Sequence, residues 1–364
     1  MDDDTYPIGR SLARLSKKRS LGVVAAAYVG AIFIGYVVVH FGFNAANLEA
    51  VFVGDVAATG FIFLFSMAFA NSSLYDPYWS VAPPVISVFL LFGPGSTPQH
   101  LSWRFVTVGT EAGTSSGSTL GRLLSSLPFR SASPSEMWDW FQHEPLWHWS
   151  LRSGIVLMLV GVWGVRLTAN WAYTWSGFAH EDWRYVQMRR DTRGKVPWWL
   201  VSGIGIQLMP TIVVFIGMFP MFLAYAGRRP FNVLDAAALV VTAGAIALET
   251  AADLQRHRAV RAHSRTRRAL RAGLWGRSRH PNYLGEIGFW CGLALFGVAA
   301  YPEAWWFAAL GPLVMILLFN FVSIPLMEKR SATRRIDWAD YVATVPRLLP
   351  RPWRRPSPQL AADA

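Results

Sequence analysis

The sequence predicts an all-α protein, a polytopic transmembrane bundle of about eight helices with both termini in the cytoplasm. Two observations support this prediction. Of the 364 residues, 53% are hydrophobic, yet the formal net charge is +12, so apolar and basic residues must occupy separate stretches of the chain. Lysines and arginines also concentrate in alternate loops, as the positive-inside rule requires of cytoplasmic segments.

Apolar segments of roughly membrane-spanning length occur along most of the chain. The eight segments cover residues 21–41, 52–70, 80–93, 151–173, 197–225, 233–252, 283–300 and 303–325. The third is short for a bilayer and contains Pro83 and Pro84, so we expect it to tilt, to insert halfway or to pair with the second segment. An even number of crossings returns both termini to the same side.

The charges test this topology independently of hydropathy. Four segments hold 27 of the 34 lysines and arginines, and they are residues 1–20, 176–195, 253–283 and 326–364. All four fall on one side, which the positive-inside rule makes cytoplasmic. We therefore expect an integral, multi-pass membrane protein. No nucleic-acid partner is expected, because a basic nucleic-acid-binding domain groups its charges around polar readout elements.

The composition divides the chain into four parts. Residues 1–93 hold the N-terminal helices, 94–150 form a polar extracytoplasmic insert, 151–352 form the C-terminal membrane domain, and 353–364 are predicted to be a disordered tail. The insert is rich in Ser and Gly and ends in tryptophans suited to the outer membrane interface. Its histidines, His143 and His148, do not have the four-residue spacing of a helical metal site. With one cysteine in the chain, we predict no metal site.

The segment RSRHPNYLGE is the most informative about chemistry. Pro281 suits the first turn of a helix, whose free amides favour an anion, and basic residues come just before it. A juxtamembrane anchor explains the basic residues alone. The order His-Pro-Asn-Tyr and a carboxylate one turn deeper, where it is costly if unpaired, favour a site for a phosphate-bearing ligand. The candidate ligand-binding residues are Arg277, Arg279, His280, Asn282, Tyr283 and Glu286.

A second polar cluster is HEDWRYVQMRRDTRGK, residues 180–195. If the segment is helical, its acids and bases share one face at spacings of three and four, and arginine donors remain for a ligand. A solvated, salt-bridged helix explains the same charges equally well. The ligand-binding candidates here are Arg184 and Arg189.

A third cluster lies on the sixth predicted helix, where Glu249 and Asp253 share one stripe. Carboxylates at membrane depth are functional candidates, and arginine is their expected partner. Arg277 or Arg279 is the predicted partner of Asp253. Glu328, which follows the last predicted helix, is expected to be solvated.

Two further positions place polar groups at the membrane or its boundary. Gln207 with Pro210 combines an amide and a helix break at membrane depth, which is tolerated only against protein or a wet cavity. The segment SSLYDPYWSVAPP places Asp76, Tyr78 and Trp79 at the inner boundary. An interfacial aromatic belt explains Trp79, whereas Asp76 and Tyr78 can donate or relay a proton.

With these residues in order, the chain resembles the bacterial DUF1295 family, a branch of the steroid 5-alpha-reductase-like superfamily that includes sterol reductases and, more distantly, isoprenylcysteine carboxyl methyltransferases. The resemblance covers residues 150–352 and, more weakly, 71–84. The matching motifs are WGVRLTANW, EDWRY with Met188-Arg189, Gln207 with Pro210, Glu249 with Asp253, GLW with SRHPNYLGE, Trp290 with Gly292, and a tail with Glu328, Tyr341, Thr344 and Pro350.

The resemblance implies that the C-terminal helices hold NADPH from the cytoplasmic side and that a hydrophobic substrate enters from the bilayer. It also implies the bacterial inner (plasma) membrane as the location. The implied activity is reduction of a carbon–carbon double bond in a steroid, isoprenoid or other lipid. The Gln-Glu pair and downstream Tyr that act near the substrate in animal steroid reductases have no identified counterpart here. Residues matching the cofactor motif are Arg279, His280, Asn282, Tyr283 and Glu286, and residues matching its supporting polar positions are Asp253, Arg184 and Arg189.

These expectations combine into one hypothesis. NADPH delivers the hydride and Tyr78 or Asp76, with Tyr283 as the weaker candidate, supplies the proton. The arginine surplus suits the 2′-phosphate of NADPH, and the chain contains no GxGxxG after a strand, so the nicotinamide site is not of the Rossmann type. The predicted cofactor-binding residues are Arg184, Arg189, Asp253, Arg277, Arg279, His280, Asn282, Tyr283 and Glu286. The predicted substrate-binding residues are Trp79, Gln207 and Glu249.

Two alternatives remain open at this point. An S-adenosylmethionine-dependent methyltransferase acting on a lipid-borne acceptor needs no 2′-phosphate site, which would leave many arginines without a role. A non-catalytic membrane protein would use the basic face to bind lipid or a partner.

Overall fold

The computed structural model describes residues 15–43, 47–93, 133–135, 149–227, 229–262 and 267–350. Every regular element in these ranges is helical, and they contain no strand. Most of the predicted insert over residues 94–150 and all of the predicted tail over 353–364 lie outside the described residues.

Ten α-helical elements follow one another in the described ranges. They are α1 (Lys17–Gly42), α2 (Leu48–Ala68), α3 (Tyr78–Phe92), α4 (Leu151–Thr174), α5 (Trp183–Thr192), α6 (Trp198–Ala226), α7 (Val233–Ala262), α8 (Pro281–Ala300), α9 (Pro302–Arg334) and α10 (Trp338–Thr344). Seven of these, all except α3, α5 and α10, are long and apolar enough to cross a membrane. The chain is therefore an all-helical, multi-pass integral membrane protein.

Each of the eight predicted segments corresponds to a helix, so the predicted fold class is confirmed. The third segment is α3, which has 15 residues with Pro83 and Pro84 inside it and is too short to count among the seven. α3 packs against α4 at a close approach, where a Cβ on Gly164 would lie 2.4 Å from the backbone oxygen of Ser80. Segment 180–195 contains the predicted amphipathic helix, α5.

Local sequence explains where several helices begin. Ser16 and Asn47 cap α1 and α2 by accepting hydrogen bonds from backbone amides in the first turn. α4 starts with a reciprocal capping box between Ser150 and Ser153. α8 starts at Pro281, where the missing amide hydrogen costs nothing because first-turn amides have no partner within the helix. The next backbone amides of α8 have no acceptor within the helix and can bind a ligand at the end of α8 that follows the RSRH segment.

Glycines allow two further close helix contacts in the bundle. α7 packs along α8, and a Cβ on Gly292 would lie 2.1 Å from the Thr242 hydroxyl oxygen. α1 crosses α2 at Gly35 and Gly54, where a Cβ on Gly54 would lie 3.1 Å from the Gly35 oxygen. Small residues allow such approaches between membrane helices. The second crossing fixes the position of Asp55, the residue after Gly54.

α6 is interrupted at membrane depth, as Gln207 and Pro210 predict. Its residues Val201–Leu208 are π-helical and regular α-helix resumes at Met209. α9 shows the same arrangement, with a π-helical stretch Phe319–Ser323 just before Pro325. Proline lacks an amide hydrogen and crowds the preceding turn, so a widened turn upstream accommodates it.

Candidate functional site

The predicted basic segments meet at one end of the bundle, here called the basic end. The Phe178 amide donates to the Ser20 hydroxyl over 3.4 Å, and the Arg330 guanidinium lies 3.9 Å from the centre of the Trp183 ring. The Arg279 amide donates to the Pro346 oxygen over 2.9 Å. The prediction that these segments share one side is consistent with these contacts. The cytoplasmic identity of that side remains a prediction from the charge distribution.

A single carboxylate, that of Glu328, pairs with two residues of the RSRHPNYLGE motif. Arg279 Nε donates to Glu328 Oε1 over 2.9 Å, and His280 Nε2 lies 3.2 Å from the same oxygen. Arg347 approaches the other Glu328 oxygen at 3.4 Å, and Arg279 also donates to the Val345 oxygen over 2.7 Å. Glu328 is therefore not a solvated helix end, and that prediction was wrong. Arg279 and His280 fasten the C-terminal segment beneath α8 in this conformation.

Other motif residues remain available at the start of α8. The side chains of Arg277, which is exposed, and Asn282, which is half-buried, make no hydrogen bond to another described residue. The Tyr283 ring stacks parallel to the His280 imidazole with centroids 5.5 Å apart. Tyr283 lies within electrostatic reach of Arg184 on α5 and Arg256 on α7. Basic side chains of α5 and α7 therefore lie near the first turn of α8.

Arg330 on α9 lies beside the same region. The Arg330 guanidinium lies 3.9 Å from the centre of the Trp183 ring on α5, a cation–π contact that leaves its edge donors free. Neither Arg256 nor Arg330 forms an ion pair with another described residue. We call the region bounded by Arg184, Arg256, Tyr283 and Arg330 the basic cleft. The guanidinium groups of Arg256 and Arg330 fit an anionic ligand such as a nucleotide phosphate.

The carboxylates of α7 are paired by an arginine inside the bundle. Arg166 on α4 lies 2.6 Å from Glu249 and 2.9 Å from Asp253. Asn170 donates to Asp253 over 3.3 Å and lies 2.6 Å from the His257 imidazole. The predicted pairing of Asp253 with Arg277 or Arg279 is therefore wrong. This ladder also explains how Arg166 is tolerated within a span.

Glu286 is held in the core by two indoles. Trp163 Nε1 donates to Glu286 Oε2 over 2.9 Å, and Trp290 Nε1 donates to Glu286 Oε1 over 2.8 Å. The carboxylate is almost fully buried, at 1% exposure, and both its oxygens are engaged. We therefore expect Glu286 to support the site from within the core rather than to contact the cofactor.

The two arginines predicted on α5 both lie at the basic end and both are paired. Arg184 lies 2.8 Å from Asp182 and 3.6 Å from Asp76. Arg189 lies 3.1 Å from Glu181 and 4.1 Å from the centre of the Trp198 ring. Arg184 remains partly exposed beside the basic cleft. Arg189 fastens α5 to the start of α6.

Asp76 occupies the boundary between the basic end and the membrane. Tyr185 donates a hydrogen bond to its carboxylate. Burial raises the pKa of Asp76 to about 6, against the opposing effects of Arg184 and of the Tyr185 hydrogen bond. The side chain is held among residues of α5 and does not line the apolar cavity described next. Direct donation from Asp76 to a substrate in that cavity is therefore not supported.

An apolar cavity of about 280 Å³ lies between α1, α2 and α3. Its described lining residues are apolar, aromatic or glycine, except for Asp55. Ile32 on α1 and Val88 on α3 line it and are themselves exposed on the outer surface of the bundle. The cavity is therefore bordered by residues that face the hydrocarbon of the bilayer.

A carboxylate and a phenol meet in the wall of this cavity. Tyr78 donates to Asp55 Oδ1 over 2.7 Å, and both residues are buried. No arginine or lysine in the described ranges pairs with Asp55. Asp55 was not among the predicted site residues. The missed signal was a carboxylate inside the second predicted span, which is by default a functional candidate.

The three predicted substrate-binding residues do not line this cavity. Trp79 packs edge-on against Trp163 at 6.1 Å between ring centres. Gln207 is fully buried in the π-helical segment, with its amide nitrogen 3.4 Å from the Ser202 hydroxyl. Glu249 pairs with Arg166. Trp79 and Glu249 therefore contact α4, whereas Gln207 contacts a hydroxyl of its own helix. That the three residues bind the substrate stays a prediction.

Comparison with known families agrees with this architecture. Residues 138–345 match the model of DUF1295, described as a protein of unknown function. The match covers α4 to α10, and therefore the basic cleft and the RSRHPNYLGE motif, but leaves the cavity helices α1 to α3 outside it. No curated protein and no solved structure matches the chain. With more than half of its length matched, this chain belongs to the DUF1295 family.

Proposed function

We propose that this protein is an integral-membrane oxidoreductase that uses NADPH to saturate a polarised carbon–carbon double bond in a steroid, isoprenoid or other lipid. The observation that supports it best is the Tyr78–Asp55 pair in the wall of the apolar cavity. An otherwise apolar cavity with one polar pair suits a lipid that carries one polar group. The pair supplies a proton donor at the point where such a group would lie.

The cofactor would occupy the basic cleft, where the residues present fit an anionic nucleotide. Arg256 and Arg330 lack ion-pair partners among the described residues and would bind phosphate oxygens, together with Arg277 and the first-turn amides of α8. Asn282 offers an amide for directional hydrogen bonds. When bound there, NADPH would supply the hydride. Arg189, Arg279, His280 and Glu286 would support this site rather than contact the phosphates.

The chain's own residues account for the proton. Tyr78 would donate its hydroxyl proton to the substrate carbon or to a conjugated oxygen, as general acid catalysis requires a donor within hydrogen-bond reach. Asp55, 2.7 Å from that hydroxyl, would orient it. The apolar lining would exclude water from the reacting atoms, which strengthens both interactions.

The charge distribution supports a cytoplasmic cofactor site. NADPH is a cytoplasmic metabolite, and the basic cleft lies at the end where the lysine- and arginine-rich segments meet. We propose a bacterial inner membrane as the location, with the lipid substrate reaching the cavity from the bilayer between α1 and α3.

The proposal is tested with the purified protein in nanodiscs. NADPH, NADH and S-adenosylmethionine are titrated by fluorescence, and NADPH oxidation is followed with progesterone as the first lipophilic enone probe and then with a total membrane lipid extract. Tyr78→Phe removes the proposed donor, and Tyr36→Phe, another tyrosine lining the cavity, is the matched control. Loss of oxidation in Tyr78→Phe alone supports the proposal. Absence of saturable NADPH binding, or saturable binding of S-adenosylmethionine only, refutes it.

A further inference from the structure

A tyrosine that gives up its proton in an apolar cavity must regain one before the next turnover. The described lining of the cavity is largely apolar, and Asp55 is its only charged side chain. We propose that Tyr75, Thr211 and Thr59 form a hydroxyl chain that returns a proton to Tyr78 from Asp76 at the basic end. This inference rests on the proposed function, because it assigns the proton supply of the same site.

The chain crosses three elements and stays buried along its length. The Tyr75 hydroxyl, in the segment before α3, lies 2.7 Å from the Thr211 hydroxyl on α6. Thr211 lies 2.8 Å from the Thr59 hydroxyl on α2. Thr59 interacts in turn with the Tyr78 hydroxyl, and its place four residues after Asp55 puts both on one face of α2. The three residues are each no more than 3% exposed.

Hydroxyl groups suit this task because each can donate one proton while it accepts another. Thr211 also donates to the Gln207 oxygen over 3.0 Å. Rotation about the Cβ–Oγ1 bond of Thr211 redirects the same proton toward Thr59. Hydrogen bonds between buried hydroxyls also hold membrane helices together. A discriminating experiment must therefore separate proton supply from packing.

The outer end of the chain adjoins a group that exchanges protons near neutral pH. Asp76 follows Tyr75 in sequence and lies at the basic end, where Arg184 approaches its carboxylate at 3.6 Å. Tyr185, Asp182 and Ser73 also face it, and it acts electrostatically on Tyr28 and Tyr75. Burial raises the pKa of Asp76 to about 6, so its carboxyl gains and loses a proton at the pH of a bacterial cytoplasm.

The steps balance without any redox change in the chain. Tyr78 gives its proton to the substrate as NADPH reduces the double bond. Tyr78 then takes a proton from Thr59, Thr59 from Thr211, and Thr211 from Tyr75. Tyr75 would take its proton from Asp76, which acts on it electrostatically, through a water at the basic end. Asp76 recovers a proton from water at the basic end. One proton from water is consumed for each hydride transferred.

Deuterium exchange at the Tyr78 hydroxyl tests the chain directly. Full-length protein with ring-labelled tyrosine is transferred to D₂O in nanodiscs, and the tyrosine C–O band is followed by infrared spectroscopy, with Tyr78→Phe identifying the band. Thr211→Val removes one hydroxyl and keeps the shape, Thr211→Ser keeps the hydroxyl, and Thr242→Val removes a buried hydroxyl elsewhere that donates to the Ala238 oxygen. Thermal unfolding confirms that each variant is folded.

We expect Thr211→Val to slow exchange by roughly tenfold or more, because the proton must then cross a gap without a polar group. Thr211→Ser and Thr242→Val should exchange like the unmodified protein. Unchanged exchange in Thr211→Val, or equal slowing in Thr211→Ser, overturns the proposal. The measurement needs neither cofactor nor substrate, so it decides the hydroxyl chain even when the reductase assay fails.

Discussion

The Tyr78 hydroxyl on α3 donates a 2.7 Å hydrogen bond to the Asp55 carboxylate on α2, in the wall of a cavity with no other charged lining residue among those described. If this pair supplies the proton, Asp55→Asn lowers kcat by roughly a hundredfold, within the range of general acid catalysis. NADPH affinity should stay within about twofold, because Asp55 is outside the basic cleft. NADPH oxidation and NADPH titration measure the two quantities.

Glu49→Gln is the matched control for that experiment. Glu49 is a carboxylate in the first turn of the same helix and does not line the cavity. Equal losses of kcat in Asp55→Asn and Glu49→Gln would contradict a catalytic role for Asp55.

A guanidinium in the basic cleft should determine the preference for NADPH over NADH. Arg256→Ala is expected to weaken NADPH binding by roughly tenfold, the loss of one charge-assisted hydrogen-bond pair, with a smaller effect on NADH. Arg258→Ala is the control, since it removes an exposed arginine two residues away, on a different face of α7. Equilibrium titrations of both nucleotides provide the measurement. If both variants weaken NADPH equally, general surface charge rather than a specific site explains the binding.

The pH dependence of stability should report on Asp76. Its pKa of about 6 in the folded protein exceeds the unfolded value of about 4. The folded protein therefore holds this proton more tightly, and the stability that Asp76 contributes is fully present below pH 4 and is lost as the pH rises through 6. The shift corresponds to roughly 2–3 kcal/mol. Asp76→Asn should remove this dependence.

Denaturant unfolding at pH 4 and pH 7 in mixed micelles measures the effect. The stability of the unmodified protein relative to Asp76→Asn should fall between the two pH values. Asp191→Asn, at an exposed position on α5, should leave the pH dependence of the unmodified protein in place. A parallel response of the unmodified protein and Asp76→Asn would show that another group titrates.

Hydropathy and charge predicted the fold because the apolar run of each membrane helix is one continuous stretch of sequence. The π-helical segment before Pro210 was also foreseeable as a helix break, since the cause lies in a single residue. The pairing of Asp253 was not foreseeable, because its partner Arg166 is 87 residues away and several nearer arginines carried the same charge. Arg279 was likewise assigned to a ligand because Glu328, its actual partner, lies 49 residues further on.

The substrate side shows a different limit. Tyr78 was recognisable as a proton donor from its place at the membrane boundary, yet its partner Asp55, inside the second predicted span, was not named as a candidate. The crossing of α1 and α2 at Gly35 and Gly54 determines which way Asp55 points. Such geometry depends on how helices pack, and no local pattern encodes it.

The end of the bundle opposite the basic end should carry much of the stability. Arg152 Nε lies 2.7 Å from Asp235 Oδ1, with side chains 2% and 0% exposed, and Arg152 also donates to the oxygens of Arg229 and Pro230. Arg152→Met leaves a buried carboxylate unpaired, which costs about 3–5 kcal/mol. Guanidinium titration in detergent micelles measures the loss, and Arg152→Met with Asp235→Asn should recover part of it because no charge then remains buried.

Arg229→Ala is the control, because it breaks only the pair with Glu303. The Arg229 and Glu303 side chains are 41% and 25% exposed, so the loss should be about 1 kcal/mol or less. A loss as large for Arg229→Ala as for Arg152→Met would place the stabilisation in the loop as a whole rather than in the buried ion pair.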